Sequence, residues 1–232
     1  MKKIFFFALL IVAFSCAFST PTIYGPNGMV TYPSATMEGS LISIQPYVMS
    51  YGGESRYGAV TANVDLKYVE AYGLVAVTTG KNFSIDHLNT YGAKVKYPID
   101  EKMTVAAGAT LSSNDCVDYY LAASREIVDT KIVDLDLTGG VNFHTTTNDF
   151  EDNDTRLYLG ATGKLTSFLS AGAEASVPLN GDGGTIYSAK VSANIVLLNL
   201  NLGLTNNKYG KRSETLGYFL NVGYSFSGLL GR

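Results

Sequence analysis

Apolar side chains alternate with polar or small ones along most of the chain, and this period of two constrains its fold more than any other feature. In residues 132–144, one face of an extended chain carries Val133, Leu135, Leu137, Val141 and Phe143. The opposite face carries Asp134, Asp136, Thr138, Asn142 and His144. Because successive side chains of a β-strand point to opposite faces, the pattern predicts a strand. No segment shows convincing helical spacing of apolar residues, so we expect an all-β protein.

The same alternation recurs from residue 39 to residue 226. The predicted strands are 39–51, 57–67, 71–80, 88–97, 102–112, 117–127, 131–143, 155–165, 168–178, 185–196, 198–205 and 215–226. About twelve strands joined in sequence predict an antiparallel up-and-down β-barrel. The segment 71–80 is apolar on both faces, so the sequence leaves its orientation open.

Short and long connections alternate between the predicted strands. The tight connections are 68–70, 98–101, 128–130, 166–167 and 197. The others, which are mostly longer and more polar, are 52–56, 81–87, 113–116, 145–154, 179–184 and 206–214. Short turns at one end and longer loops at the other are typical of a transmembrane barrel. A β-sandwich has no reason to sort its loops in this way.

Three features indicate that the apolar face points outward. The other face is mostly Gly, Ser, Thr and Asn, which is too little charge for a soluble exterior. A twelve-stranded barrel is also wider than the roughly eight strands whose interior side chains can fill. Aromatic residues recur near strand ends, where they predict girdles at the membrane interfaces: Tyr51, Tyr57, Tyr97, Tyr119, Phe143, Phe168, Tyr187, Tyr218 and Phe226. We therefore expect lipid outside and a polar lumen inside.

The N-terminus has the layout of a secretory signal peptide. Two lysines precede an almost purely apolar run from Ile4 to Phe18. Small residues at its end predict cleavage after Ser19. Lipidation at Cys16 is the alternative interpretation.

Charge and cysteine content limit the partners of the exported chain. The formal net charge of −3 becomes about −5 when Lys2 and Lys3 leave with the signal peptide. An acidic chain of this kind is not expected to bind nucleic acid. Only Cys116 remains if Cys16 is removed, so we expect no intrachain disulfide.

Two segments resemble known outer-membrane proteins. The final strand resembles the C-terminal β-signal of Gram-negative outer-membrane proteins, and its alternating residues are Tyr218, Leu220, Val222, Tyr224 and Phe226. In that signal the alternation ends on Phe at the C-terminus, whereas here the residues 227–232 follow. The resemblance implies insertion by the barrel-assembly machinery, among outer-membrane lipid and lipopolysaccharide. Residues 25–30, Gly-Pro-Asn-Gly-Met-Val, with Pro33-Ser34-Ala35, are similar to the mature N-termini of certain outer-membrane barrels, some associated with exopolysaccharide export.

These features predict four parts of the chain. Residues 1–19 are the signal peptide, 20–38 an N-terminal periplasmic segment, 39–226 the barrel and 227–232 a C-terminal tail. The sequence leaves open whether the segment 20–38 plugs the barrel, covers its mouth or hangs free.

The sequence carries no catalytic, metal or cofactor motif that we can identify. Outer-membrane phospholipases use a Ser-His-Asn site, but His87 lies in a predicted loop and His144 at a strand end followed by threonines. The loop 148–154 holds four carboxylates without the calcium-binding spacing, so a solvated acidic loop is the preferred interpretation and a divalent-cation site the alternative. We expect no enzyme, no metal and no cofactor.

Charged residues of both signs have the parity of the lumen. They are Asp65, Lys67, Lys94, Lys96, Glu126, Asp134, Asp136, Arg156, Lys164, Glu174 and Lys190. The leading hypothesis is a small outer-membrane channel for ions or small hydrophilic solutes. The alternatives are a structural or surface-interaction barrel with a closed lumen and a secreted soluble β protein such as an adhesin. Centring the 179–184 loop near Asp182 predicts that Glu174 directly faces Lys190.

Overall fold

The fold is seen in a computed structural model of the 232-residue chain. The residues described are 28, 31–35, 41–51, 55–79, 89–113, 115–130, 133–146, 153–166, 168–180, 183–195, 198–208 and 211–227. The predicted signal peptide, His87, most of the acidic loop and the tail beyond residue 227 lie outside them. No helix among these residues is long and apolar enough to cross a membrane.

The described residues form twelve antiparallel strands that close into one barrel, which confirms the predicted fold class. Each strand pairs with its neighbours in sequence, and β1 pairs with β12 to close the sheet. The strands are β1 Leu41–Tyr51, β2 Ser55–Asp65, β3 Val69–Thr79, β4 Thr90–Pro98, β5 Met103–Ser112, β6 Cys116–Asp129, β7 Asp134–Thr146, β8 Asp154–Lys164, β9 Leu169–Pro178, β10 Ile186–Ile195, β11 Leu198–Lys208 and β12 Lys211–Ser227. We call the end with the connections after odd-numbered strands the loop end, and the opposite end, where β1 begins and β12 ends, the turn end.

The prediction of a loop at 206–214 is wrong, because β11 extends to Lys208 and β12 begins at Lys211. The polar residues that indicated a loop serve the sheet instead. The Asn206 side-chain oxygen accepts a hydrogen bond from Tyr187 N at 2.7 Å, and its amide nitrogen donates to Thr185 O at 3.2 Å. A register shift between Thr205 and Asn207 accommodates these contacts.

Large apolar side chains cover the outside of the barrel. Along β3, whose orientation the sequence left open, Val75 and Val77 are exposed while Leu74 and Ala76 are buried inside. The same division holds along β11, where Leu200 and Leu202 face outward and Asn199 and Asn201 inward. A soluble barrel has the reverse arrangement, so the outer surface is suited to lipid.

Aromatic side chains lie on the outer surface near both ends of the strands. Tyr91, Tyr119, Phe143 and Tyr187 lie toward the loop end, and Tyr68, Tyr97, Phe168 and Tyr224 toward the turn end. This placement is typical of the girdles of membrane barrels.

Tyr51 and Tyr57 are not part of the girdles, contrary to the prediction from their strand-end positions. Both side chains are buried inside the barrel. The Tyr57 hydroxyl lies 3.0 Å from Met49 Sδ, and the Tyr51 hydroxyl donates to Asn207 O. The interior is therefore partly apolar on this side. The inner cluster consists of Tyr47, Met49, Tyr51, Tyr57, Ala59, Leu74, Ala76 and Phe219.

Inward-facing aromatic rings lie over glycines of the neighbouring strand. Tyr72 is directly opposite Gly92, and a Cβ at Gly92 would lie 2.6 Å from the Tyr72 hydroxyl oxygen. The missing Cβ of the glycine leaves room for the ring beside the neighbouring strand. The same cross-strand relationship holds for Tyr120 with Gly108, Tyr158 with Gly140, Phe219 with Gly203 and Tyr51 with Gly217.

Candidate functional site: the lumen of the barrel

Polar side chains dominate the interior, because the polar residues of each alternating strand face inward. Many of them bond to the next strand, as in Ser124 Oγ with Thr138 Oγ1 at 2.7 Å. Ser188 Oγ and Thr205 Oγ1 are also 2.7 Å apart. The wall is thus lined by neutral hydrogen-bonding groups, among which a smaller number of charges stand out.

Four buried charges on β2, β3 and β4 form two ion pairs. Lys96 Nζ lies 2.6 Å from each carboxylate oxygen of Asp65, and Lys94 Nζ lies 2.7 Å from Glu70 Oε2. All four side chains are almost completely buried. A buried charge is tolerated when an opposite charge offsets its lost hydration. Each lysine therefore compensates its own carboxylate, and the four side chains together add no net charge to the wall.

Arg156 anchors the β9–β10 connection at the loop end. Its Nε donates to Asp154 Oδ2 at 2.6 Å. Its two terminal nitrogens donate to Gly184 O at 3.1 Å and Gly183 O at 3.2 Å. The guanidinium thus binds the residues that precede β10 at the loop end of the barrel.

Four further predicted lumen charges lie near the turn end. Lys164 Nζ is 3.0 Å from Asp134 Oδ2, and Asp136 lies directly opposite Glu126 in the sheet. Glu126 is 3.5 Å from Lys102, whose side chain is more than half exposed.

The prediction that Lys67 faces the lumen is wrong, because Lys67 lies in the β2–β3 turn and not in the barrel wall. The strand β2 ends at Asp65, whose carboxylate accepts a hydrogen bond from Lys67 N at 3.0 Å. Lys67 has a φ of 70°, and its exposed ammonium group lies 5.1 Å from the centre of the Tyr68 ring. The alternating pattern therefore placed the end of the strand two residues too late, at 67 instead of 65.

A segment of the N-terminus lies inside the barrel. We call residues 31–35 the strap. Glu174 on β9 accepts hydrogen bonds from Thr31 N at 2.6 Å, from Thr31 Oγ1 and from Tyr32 N at 3.2 Å. The Tyr32 ring stacks on Tyr158 of β8 with centroids 4.7 Å apart, and the Tyr32 hydroxyl lies 2.8 Å from Ser176 Oγ.

The other end of the strap contacts a different part of the wall. Lys94 on β4 donates to Ser34 O at 3.0 Å, and Ala35 N donates to Ser124 Oγ on β6 at 2.8 Å. Between the two ends, Pro33 O accepts from the Tyr158 hydroxyl at 3.2 Å. Since its partners extend from β9 to β4, the strap spans part of the lumen.

Of the predicted N-terminal segment 20–38, the described residues 31–35 lie inside the barrel. The sequence left open whether this segment plugs the barrel, and the strap is the part for which the structure gives an answer. Its backbone amides find acceptors on the polar wall, which is why a short segment without sheet partners can be buried there. Gly28, which forms a bridge with Pro33, also accepts from Lys190 Nζ at 3.4 Å.

Glu174 and Lys190 lie on adjacent strands and on the same face, but they are not directly opposite each other. Glu174 is opposite Ser188, and Lys190 is opposite Gly172. The predicted register was wrong by two residues, because the β9–β10 connection is centred one residue earlier than Asp182. Glu174 binds the strap at a site where the sequence predicted only a cross-strand pair.

The histidine and acidic-loop candidates give no further site among the described residues. His144 Nδ1 lies 3.0 Å from Asp118 Oδ1, and the same oxygen accepts from Asn142 Nδ2 at 3.1 Å. The described part of the chain contains no group of three or more His, Cys, Asp or Glu side chains placed to hold a metal ion.

The proposed insertion residues occupy the final strand as a row. Tyr218, Leu220, Val222 and Tyr224 are exposed on the outside of β12. Phe226 is in the same strand, opposite Ile42 of β1. Their role in insertion is not tested by this geometry.

No known protein family and no characterised protein matches this chain in sequence. Its fold is similar to solved outer-membrane channels. The KdgM porin is 14% identical, with a TM-score of 0.54 over 79% of this chain and 99% of that one. The NanC porin is 14% identical, with a TM-score of 0.55 over 79% of this chain and 98% of that one. An outer-membrane channel from Pseudomonas putida F1 is 13% identical, with a TM-score of 0.50 over 89% and 99% of the two chains. At these identities the similarity concerns the fold.

Proposed function

We propose that this chain is an outer-membrane channel for ions or small hydrophilic solutes. The observation that carries the proposal is the inverted distribution of side chains in a closed barrel. Apolar residues cover the outside, and hydrogen-bonding residues line the inside. A closed barrel leaves no unpaired strand edge in lipid, and a polar interior offers hydration to a solute.

The similar structures support the same function. Solved neighbours include two porins and an outer-membrane channel, and the KdgM porin has been solved with oligogalacturonate. We assign no catalytic activity to this chain. Export by a cleaved signal peptide, insertion through the β12 signal by the barrel-assembly machinery, and surroundings of lipid and lipopolysaccharide belong to the proposal.

Fractionation of the producing cells tests the location. The protein should stay with the outer membrane after washing and should need detergent for extraction. Recovery as a soluble protein from the periplasm or the medium would overturn the membrane assignment.

Reconstitution in a planar lipid bilayer tests the channel. The purified protein should give discrete conductance steps that scale with salt concentration. The strap is expected to keep the steps small, because it occupies part of the lumen.

The strap also favours a second candidate, a barrel whose lumen is effectively closed. A variant in which residues 31–35 are replaced by Gly and Ser distinguishes the two functions. A narrowed channel should conduct before the replacement and conduct more after it. A barrel that is silent before and after it would be a structural or surface-interaction protein.

A further inference from the structure

One side of the lumen is lined by neutral amide and hydroxyl side chains from four adjacent strands. Ser192 and Asn194 on β10 lie opposite Asn201 and Asn199 on β11. Asn201 in turn lies opposite Asn221 on β12, and its amide nitrogen donates to Asn221 Oδ1 at 2.9 Å. Gln45 of β1 reaches over Gly223 of β12. We call these residues the amide wall: Gln45, Ser192, Asn194, Asn199, Asn201 and Asn221.

The amide wall has hydrogen-bonding capacity that its own contacts do not use. Neither the nitrogen nor the oxygen of the Gln45 amide has a partner in the described structure. The same is true of the four atoms Ser192 Oγ, Asn194 Nδ2, Asn199 Oδ1 and Asn201 Oδ1. Gln45, Ser192, Asn199 and Asn201 are each no more than 3% exposed. A buried polar atom without a partner costs about 1 to 3 kcal/mol, so a molecule that supplies both donors and acceptors would stabilise this wall.

The described contacts of the strap involve residues other than those of the amide wall, although one of them lies on β10. The described partners of residues 28–35 belong to β4, β6, β8, β9 and β10, and within β10 the contact is made by Lys190. The wall residues of β1, β11 and β12 are not among them.

Lys190 lies two residues before Ser192 on the inner face of β10, where it donates to Gly28 O at 3.4 Å. The closest buried cluster of ionised groups across β1 is the Asp65–Lys96 and Glu70–Lys94 set, in which each charge has an opposite partner. The amide wall contains no ionisable side chain. A charged solute that left water for the amide-wall residues themselves would lose hydration without gaining a counter-charge from them.

We propose that the amide wall binds neutral polyhydroxylated solutes, namely small sugars or polyols. A sugar hydroxyl donates and accepts at the same time, and an amide side chain offers two donors and an accepting oxygen, so the two are complementary. This proposal rests on the proposed channel function and names the class of solute that the channel prefers.

Ligand-observed saturation-transfer NMR on the full-length protein purified from membranes into detergent tests the site without requiring conduction. The probes are sucrose as the neutral sugar and digalacturonate as the anionic one. Sucrose should give a saturable signal, and digalacturonate should not displace it. An absent sucrose signal, or displacement by digalacturonate, would overturn the proposal.

A variant pair locates the binding surface. Asn199→Leu/Asn201→Leu replaces two amides by apolar side chains with the same branching and number of heavy atoms, and sucrose affinity should fall by about tenfold or more, as expected for the loss of one or two hydrogen bonds. Asn142→Leu is the matched control on β7, where the amide already donates to Asp118. The control should bind sucrose as the unmodified protein does. Equal losses in both variants, or none in the first, would contradict the proposed site.

Two further results keep the test decisive. If the double variant does not fold, as judged by its heat-modifiable gel mobility, Asn201→Ser should fold and bind sucrose several-fold more weakly, and unchanged affinity would contradict the proposal.

A protein that conducts but does not bind sucrose would refute the amide wall alone. A protein that binds sucrose but never conducts would refute the channel and leave the amide wall standing.

Discussion

Tyr32 stacks on Tyr158 inside the barrel, with ring centroids 4.7 Å apart and ring planes inclined by 15°. Tyr158 is itself fixed over Gly140, and its hydroxyl donates to Pro33 O. The ring that supports the strap is therefore positioned by the wall as well as by the strap. An aromatic pair of this kind contributes about 0.5 to 1.5 kcal/mol beyond the area that it buries.

Tyr32→Ala should loosen the strap without disturbing the sheet. We expect larger or longer-lived open states in planar-bilayer recordings, because the stacking and the hydrogen bond to Ser176 are both lost. Tyr187→Ala is the control, since Tyr187 lies on the outer surface. Identical conductance in the Tyr32 variant and the unmodified protein would show that the strap does not limit the path.

Glu174→Gln should also weaken the hold on the strap. The carboxylate accepts from two backbone amides and one hydroxyl of residues 31 and 32. Hydrogen bonds to a charged group contribute about 1.5 to 3 kcal/mol, and a neutral amide has only one accepting oxygen.

Thiol labelling measures this change directly. A cysteine introduced by Ser34→Cys in a Cys116→Ala background should react faster with a membrane-impermeant maleimide when Glu174→Gln is present. Glu214→Gln, an exposed change on β12, should leave the rate unaltered. Equal rates in all three proteins would argue against Glu174 as the anchor.

The alternation of side chains was sufficient to predict the barrel, because each strand is recognised from the order of apolar and polar residues within its own segment. The bounds of β5 and β9 were predicted to within one residue. The strap could not be predicted in this way. Its partners are Glu174, Ser176 and Ser124, which lie far away in sequence, and no periodicity links them to residues 31–35.

The errors in the lumen have local causes. Tyr51 and Tyr57 lie at strand ends, as girdle residues do, but their parity turns them inward, where glycine and methionine accommodate the rings. The Glu174 register depended on the centre of a loop, and a shift of that centre by one residue moves the partner by two. A useful signal that the sequence did contain was the pairing of inward aromatic residues with glycines on the next strand.

Gly92→Ala should destabilise the barrel because the new methyl group would clash with the backbone oxygen of Ala109 and would lie 2.6 Å from the Tyr72 hydroxyl oxygen. Overpacking of this kind typically costs about 1 to 3 kcal/mol. Gly73→Ala is a close control in β3, since a Cβ there meets only Thr90 O, at an ordinary 3.5 Å. Urea unfolding in lipid vesicles should give a lower midpoint for the first variant and an unchanged or slightly higher one for the second. A similar midpoint in both would mean that the aromatic ring moves away freely.

Lys96→Met should be far more damaging than Lys102→Met. The first change leaves the Asp65 carboxylate buried without its ammonium partner, which typically costs about 3 to 5 kcal/mol. Lys102 forms a longer, exposed pair with Glu126, and such pairs contribute about 0 to 1 kcal/mol. The free energies of unfolding of the two variants provide the comparison. Adding Asp65→Leu to Lys96→Met should recover most of the loss, and a double variant as unstable as the single one would show that the charge itself is not the cause.

Arginine on the outer surface should be tolerated near the ends of the strands and not at their centre. Leu159 lies in the middle of β8 and is 65% exposed, whereas Leu165 lies in the turn that follows the same strand and is 47% exposed. If lipid surrounds the barrel, Leu159→Arg should cost about 2 to 4 kcal/mol and Leu165→Arg about 0 to 1 kcal/mol, because the penalty falls from the midplane to the interface. Both variants introduce an arginine on the same side of the wall but at different depths. Comparing their free energies of unfolding therefore removes the general effect of arginine on solubility or expression. Refolding yield into vesicles and urea midpoints should both follow this order. Equal tolerance at the two positions would mean that water, and not lipid, surrounds β8.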